Sequence, residues 1–102
     1  MAKNEVIEIL INFISLLKEE GIAVNKAFLY RSYSTNTAKK DIDIDVMFVT
    51  DNEDDYLIGN IWKLTKKINS KIEPYIVSNN RFNQSNNSPL IEFVKESGIE
   101  IA

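Results

Sequence analysis

The chain has 102 residues, of which 44% are hydrophobic and 26% charged, with a net charge of -3 and a sequence pI near 4.9. This length predicts one compact domain over residues 1–102. Cysteine and histidine are both absent, which excludes disulfide frameworks, zinc sites of the usual nitrogen and sulfur type, and catalytic triads that contain histidine. The negative charge disfavours binding to nucleic acid or to an anionic membrane, so we expect neither as a partner.

The first apolar segment predicts a helix over residues 4–20 that ends at Gly21. The apolar residues that would pack on a sheet recur at helical spacing: Val6, Ile9, Leu10, Phe13, Leu16 and Leu17. Ile7, Ile11 and Ile14 widen this face, so the helix would offer a second apolar side to a protein partner. The segment is too short to span a bilayer and no signal-peptide cleavage pattern follows it, which predicts a cytoplasmic location.

Two strands separated by a polar loop follow this helix. Residues 24–30 predict an apolar strand, and the hydroxyl-rich residues 31–37 predict a loop that leads into a short helix. Residues 41–49 first alternate polar and apolar and then become apolar throughout. A strand has this pattern when one end reaches solvent and the remainder is covered. The solvent-facing end carries three carboxylates: Asp41, Asp43 and Asp45.

A second long helix and a third strand come next. Residues 50–55 supply an N-cap and an acidic first turn for a helix that runs to about Asn69. An apolar run over residues 72–77 predicts the third strand. The asparagine-rich residues 78–87 predict a mobile polar loop, which Phe82 would anchor.

The last elements are a helix and a short strand. Ser88 and Pro89 begin the helix, because proline is favoured at the first helical position. Gly98 ends it, before a short strand over residues 99–101. The order of elements predicts an α/β fold in which helices flank a small mixed β-sheet.

The acidic end of the second strand is the first candidate site. Side chains repeat every two residues along a strand, so Asp41, Asp43 and Asp45 project from one face at intervals of roughly 7 Å. Such a row of like charges is unfavourable unless a cation neutralises it, and oxygen ligands select magnesium or manganese, with calcium a weaker candidate. Paired carboxylates that hold magnesium are typical of phosphoryl and nucleotidyl transfer. The alternative is a half-buried strand with a solvated outer face, and this segment alone leaves both interpretations open.

Segments spread along most of the chain carry a family resemblance. Residues 28–33 (Phe-Leu-Tyr-Arg-Ser-Tyr), followed by 43–46 (Asp-Ile-Asp-Val), resemble the signature of the nucleotidyltransferase superfamily, the DNA polymerase beta-like group. In that family a glycine-serine pair ends the first strand and a D-x-D pair lies on the second. Residues 71–74 resemble the third strand of the minimal nucleotidyltransferase domains. Residues 88–101 resemble their closing helix and strand.

The resemblance implies a nucleotidyltransferase fold and an assignment of roles. The family's metal ligands and catalytic carboxylates fall on Asp43, Asp45 and Glu73. Its reaction would be magnesium- or manganese-dependent transfer of a nucleoside monophosphate from a nucleoside triphosphate to a hydroxyl of a protein or small molecule. The residues that would contact the nucleotide are Ser32, Arg31, Tyr33 and Asn36.

This sequence departs from the family's phosphate-binding loop. Arg31 stands where the family has glycine, and Thr35 and Asn36 replace its arginine and second glycine. A glycine there lets backbone amides approach the phosphates, so a side chain at position 31 weakens that contact. Arg31 could instead offer its guanidinium to phosphate oxygens, although an arginine paired with carboxylate or water is the commoner outcome.

These departures support a second hypothesis. The chain would be a nucleotidyltransferase-like binding module that has lost turnover and acts as the antitoxin or regulatory partner of a small helical protein. By resemblance, many minimal nucleotidyltransferases accompany a helical nuclease of the HEPN type. A homo-oligomer is a further expectation, because a domain this small has a marginal core. Trp62 is either in the core or faces a partner, and the lysines at 63, 66, 67 and 71 are assigned mainly to solubility.

Overall fold

The computed structural model describes residues 3–30, 43–84 and 88–102. Along these residues the helices and strands alternate around one sheet. In chain order the elements are α1 Lys3–Glu19, β1 Lys26–Leu29, β2 Ile44–Thr50, α2 Asp55–Ile68, β3 Ile72–Ser78, α3 Asn79–Phe82, α4 Pro89–Ser97 and β4 Ile99–Glu100. This arrangement confirms the predicted α/β fold with a mixed sheet flanked by helices. Over the same residues, no helix combines the length and the hydropathy that a membrane crossing needs.

The sheet has the strand order β3-β2-β1-β4. β2 pairs with β3 in parallel, and β1 pairs antiparallel with both β2 and β4. A parallel pair needs a crossover connection, which α2 provides between β2 and β3. The two central strands are therefore β2 and β1, and β3 lies at one edge.

Helices cover both faces of the sheet. On one face, α1 and α2 pack against alternate strand residues, and the rings of Phe13 and Phe48 lie 5.8 Å apart. On the other face, Phe82 of α3 stacks on Phe28 at 5.4 Å, and Ile91 and Val94 of α4 pack beside them. Every residue of β2 is buried as a result. This double burial explains why the strand becomes apolar throughout after its acidic start.

Two glycines mark helix ends as predicted. Gly21 has φ of 79°, and after it the Ile22 N–H donates to the Leu17 carbonyl at 2.8 Å, which closes the end of α1. Gly98 ends α4, where its N–H donates to the Val94 carbonyl at 2.8 Å. A Cβ on Gly98 would lie 2.6 Å from that carbonyl oxygen, so the close approach requires glycine.

The N-cap and the acidic first turn of α2 lie at the end of the predicted segment 50–55 rather than at its beginning. Thr50 remains in β2, and its hydroxyl donates to the Asn52 carbonyl at 2.6 Å. The N-cap is Asp54, whose Oδ1 accepts the Leu57 N–H at 2.8 Å. Pairing of Thr50 with Ser78 across the sheet keeps this residue extended, which local capping preference alone did not reveal.

The predicted loop over residues 78–87 is also wrong in its first half. Residues Asn79–Phe82 form the short helix α3, capped by Ser78, whose Oγ accepts the Arg81 N–H at 3.2 Å. Burial of Phe82 against the sheet explains the helix, because it brings an aromatic ring into the core from a polar segment. Phe82 thus anchors the segment, as predicted. Residues 85–87 lie outside the described residues.

Candidate functional site

The sheet brings together three carboxylates from two adjacent strands. Asp45 on β2 lies directly opposite Glu73 on β3, and Asp43 comes just before β2 begins. Paired residues on neighbouring strands project from the same face, and residues two apart in a strand also share a face. Asp43, Asp45 and Glu73 therefore all lie on the face that carries α3 and α4. Asp45 is 9% exposed, whereas Asp43 and Glu73 are open to solvent.

The electrostatics of Glu73 show how close these groups are. Partial loss of water around its carboxyl raises the pKa of Glu73 above the ordinary value of 4.5. The negative charges of Asp43 and Asp45, and hydrogen bonding of the protonated Glu73 carboxyl with these aspartates, raise this pKa further. The fold thus brings three carboxyl groups near one another, and their charges repel. A cation at this position would relieve the repulsion.

The donor set fits a hard divalent cation, since all three groups supply oxygen ligands. The coordination geometry is not preformed. Over residues 3–30, 43–84 and 88–102, no group of three or more Asp, Glu, His or Cys side chains is arranged to hold a metal ion. Binding would require deprotonation of Glu73 and a side-chain rearrangement around the cation.

The end of β1 lies beside the buried carboxylate. Tyr30 follows β1, is 3% exposed, and its N–H donates to the backbone carbonyl of Asp45 at 3.2 Å. The chain therefore leaves the sheet next to the acidic residues. The predicted nucleotide contacts lie just beyond this point and outside the described residues: Arg31, Ser32, Tyr33 and Asn36.

An ion-pair network that the sequence did not predict lies further along β3. The guanidinium of Arg81 bonds Glu53 at 3.0 Å through Nη1 and donates to the Tyr75 hydroxyl at 2.7 Å through Nη2. It also lies 5.5 Å from the centre of the Tyr75 ring. Tyr75 is two residues after Glu73 on the same strand face, roughly 7 Å away. No local sequence pattern links Glu53 with Arg81, so only the fold reveals that Arg81 contacts both Glu53 and Tyr75.

A groove lies on another part of the molecule. It occupies about 530 Å³ between α1 and α2, and its walls include Glu20, Asp54, Lys63 and Lys67. These helices cover the sheet face opposite the carboxylates. Its walls contain carboxylates and ammonium groups together, so the groove has no single charge preference. It supplies no wall to the acidic site.

The chain was compared with models of known protein families. The family model described as the nucleotidyltransferase domain matches residues 10–101, which is nearly the whole chain. No curated protein matches significantly. The matched region contains α1 from Leu10 onward, all four strands and all three carboxylates. Members of this family transfer nucleotidyl groups and usually use a divalent metal. The chain belongs to the nucleotidyltransferase domain family.

Proposed function

We propose that this domain transfers a nucleoside monophosphate from a nucleoside triphosphate to a hydroxyl of a protein or small molecule, with magnesium or manganese held by Asp43, Asp45 and Glu73. The observation that supports this most directly is the pairing of Asp45 with Glu73 in parallel register, on the face that Asp43 shares. A cytoplasmic location agrees with a chain without cysteine, because nothing in it requires an oxidising compartment.

The chemistry assigns a different task to each strand. Asp43 and Asp45 on the β2 side would hold the metal, which would supply positive charge to neutralise the phosphate oxygens. Glu73 on β3 either completes the oxygen ligands or accepts the proton of the acceptor hydroxyl. In the reaction a bond forms between the acceptor oxygen and the α-phosphorus, and the bond from that phosphorus to the pyrophosphate oxygen breaks. The raised pKa of Glu73 favours proton acceptance, since a stronger base takes the hydroxyl proton more readily.

Nucleotide binding and turnover test this proposal together. We expect ATP, GTP, CTP or UTP to bind in the presence of Mg²⁺, and expect Asp43→Asn or Asp45→Asn to reduce turnover by at least roughly 100-fold. Asp51→Asn is a matched control, because Asp51 is an exposed aspartate that follows the opposite end of β2. Nucleotide binding that is absent, or that neither Mg²⁺ nor Asp43→Asn alters, would contradict the proposal.

A second candidate function is favoured by the outer surface of α1. Ile11 is 47% exposed, and Ile7 and Ile14, one turn to either side of it, are only partly buried against the core. Apolar area that remains exposed on a helix suits packing against another helix. The chain would then act as a regulatory or antitoxin partner of a small helical protein of the HEPN type, with little or no turnover.

Complex formation separates the two candidates. A purified HEPN-type protein from the same cell should co-elute with the chain in size-exclusion chromatography, and Ile11→Asp should abolish the complex. Asn12→Asp is the matched control, because it adds the same charge at the neighbouring exposed position of α1. A complex that survives Ile11→Asp would exclude this face. Magnesium-dependent turnover without any such protein would favour the enzymatic candidate.

A further inference from the structure

The outward face of α2 has an unusual composition. Asp55, Gly59, Trp62 and Lys66 follow one another along it at helical spacing, and all four residues are exposed. The Trp62 side chain is 44% exposed, which is uncommon for the chain's single tryptophan. A large aromatic residue on a solvent-facing helix indicates a contact that the isolated chain does not satisfy.

Charge is distributed along α2 so that the helix complements a reversed copy of itself. Its first turn is acidic, with Asp54 as N-cap and Asp55 after it, and its last turn contains Lys66 and Lys67. If two such helices pack antiparallel about a two-fold axis, the acidic end of each meets the basic end of the other. The spacing places Asp55 opposite Lys66 of the second copy. In the same register, Gly59 lies opposite Trp62 of the second copy, so one arrangement satisfies both pairs.

Gly59 leaves the space that Trp62 of the second copy needs in this register. Glycine is among the least favourable residues in a helix interior, and nothing in the fold requires it here, because a Cβ at position 59 would meet no atom within 4 Å. The missing side chain leaves a notch one turn before Trp62 on the same face. A tryptophan from a facing antiparallel helix can enter that notch and bring the two backbones close together.

The surface beside Trp62 extends the apolar area toward β3. A groove of about 350 Å³ lies between α2 and this edge strand; its walls include the apolar Ile58, Trp62, Pro74 and Ile76 and the polar Glu53, Tyr75 and Arg81. The edge itself is poorly suited to strand addition. The Ile72 N–H already donates to the Asn69 carbonyl, Pro74 has no N–H, and the Ser78 N–H donates to Glu53. Side-chain packing, rather than β-sheet extension, is therefore the contact that this surface favours.

We propose that the chain forms a two-fold symmetric homodimer through antiparallel packing of α2 against α2, with Trp62 of each copy seated over Gly59 of the other. The helix has 14 residues and is about 21 Å long, so the contact is at the small end of specific interfaces. We expect a weak dimer, with a dissociation constant on the order of micromolar. The three carboxylates lie on the opposite face of the sheet, so dimerisation leaves the candidate site open in both copies.

Gly59→Gln tests the notch. The new side chain has room in the monomer and improves helix propensity, so the variant should fold at least as well as the wild type. It fills the space that the second tryptophan needs. By sedimentation equilibrium we expect the dissociation constant of the dimer to rise by at least roughly tenfold. Ile11→Gln on α1 is the control and should leave the dimer intact. If Ile11→Gln abolishes the dimer and Gly59→Gln does not, the proposal is overturned.

Charge reversal tests the register independently. Asp55→Lys and Lys66→Glu should each weaken the homodimer, because each places like charges opposite one another twice across the two-fold axis. Mixing the two variants should restore association, since both pairs across the axis are then of opposite sign, and added salt should weaken the mixed dimer. A mixture that associates no better than either variant alone, or a wild type that is monomeric at millimolar concentration, would overturn the proposal.

Discussion

Asp45 and Glu73 face each other across the parallel pair of β2 and β3, and this single relationship creates the candidate site. Two carboxylates in this position repel unless one is protonated or a cation lies between them. The raised pKa of Glu73 corresponds to the first case, and the proposed metal binding would correspond to the second. The protein's response to pH and to magnesium should therefore be linked.

The first prediction concerns that linkage. The pKa of Glu73 is higher in the folded state than the ordinary value of 4.5, so the fold favours its protonated form. The stabilisation that follows is fully present below pH 4.5 and is lost as the pH rises through the raised pKa. Mg²⁺ should bind the deprotonated group and offset this loss. We expect the increase in Tm caused by Mg²⁺ to be small at pH 4.5 and larger at neutral pH.

The second prediction concerns Glu73→Gln. The neutral amide removes the repulsion with Asp43 and Asp45, so the variant should be at least as stable as the wild type at neutral pH without metal. It should also lose most of the stabilisation by Mg²⁺, because one oxygen ligand has no charge. Thermal melts with and without Mg²⁺ measure both effects. Glu100→Gln on β4 is the matched control and should respond to Mg²⁺ as the wild type does.

The third prediction concerns the core beneath α1. Phe13 is fully buried and packs against Phe48, so Phe13→Ala should lower the free energy of unfolding by about 3–5 kcal/mol. In a domain of this size such a loss is a large fraction of total stability. Ile11→Ala on the same helix should change it by no more than about 0.5 kcal/mol, because that residue is half exposed. Urea denaturation followed by circular dichroism would measure the free energy of unfolding of both variants. Equal decreases would contradict the orientation of α1 in which Phe13 is buried and Ile11 is exposed.

The fourth prediction uses two glycines of opposite character. Gly21 has φ of 79°, so Gly21→Ala should destabilise the fold by about 1 kcal/mol through backbone strain. Gly59 lies inside α2 without crowding, so Gly59→Ala should stabilise the monomer by about 1 kcal/mol. Denaturation at low protein concentration, where the proposed dimer dissociates, measures both. Changes of the same sign would contradict this account of the two positions.

Much of the local structure could be predicted from the sequence, because capping and periodicity act over a few residues. Ser88 and Pro89 begin α4 and Gly98 ends it, as local capping preferences predict. The errors fell where a distant contact overrides local preference. Thr50 stays in the sheet because it pairs with Ser78, and the segment after Ser78 is helical because Phe82 is buried.

The roles of the individual residues divide in the same way. The sequence by itself determined which chemistry is available, since a chain without histidine or cysteine offers oxygen ligands, and it determined that Asp43 and Asp45 share a strand face. Only the tertiary structure decided that Glu73, which the family resemblance had suggested, lies opposite Asp45, that Arg81 contacts Tyr75, and that Trp62 faces solvent. The physical reason is that strand register and helix docking depend on contacts between residues distant in sequence, which no local pattern records.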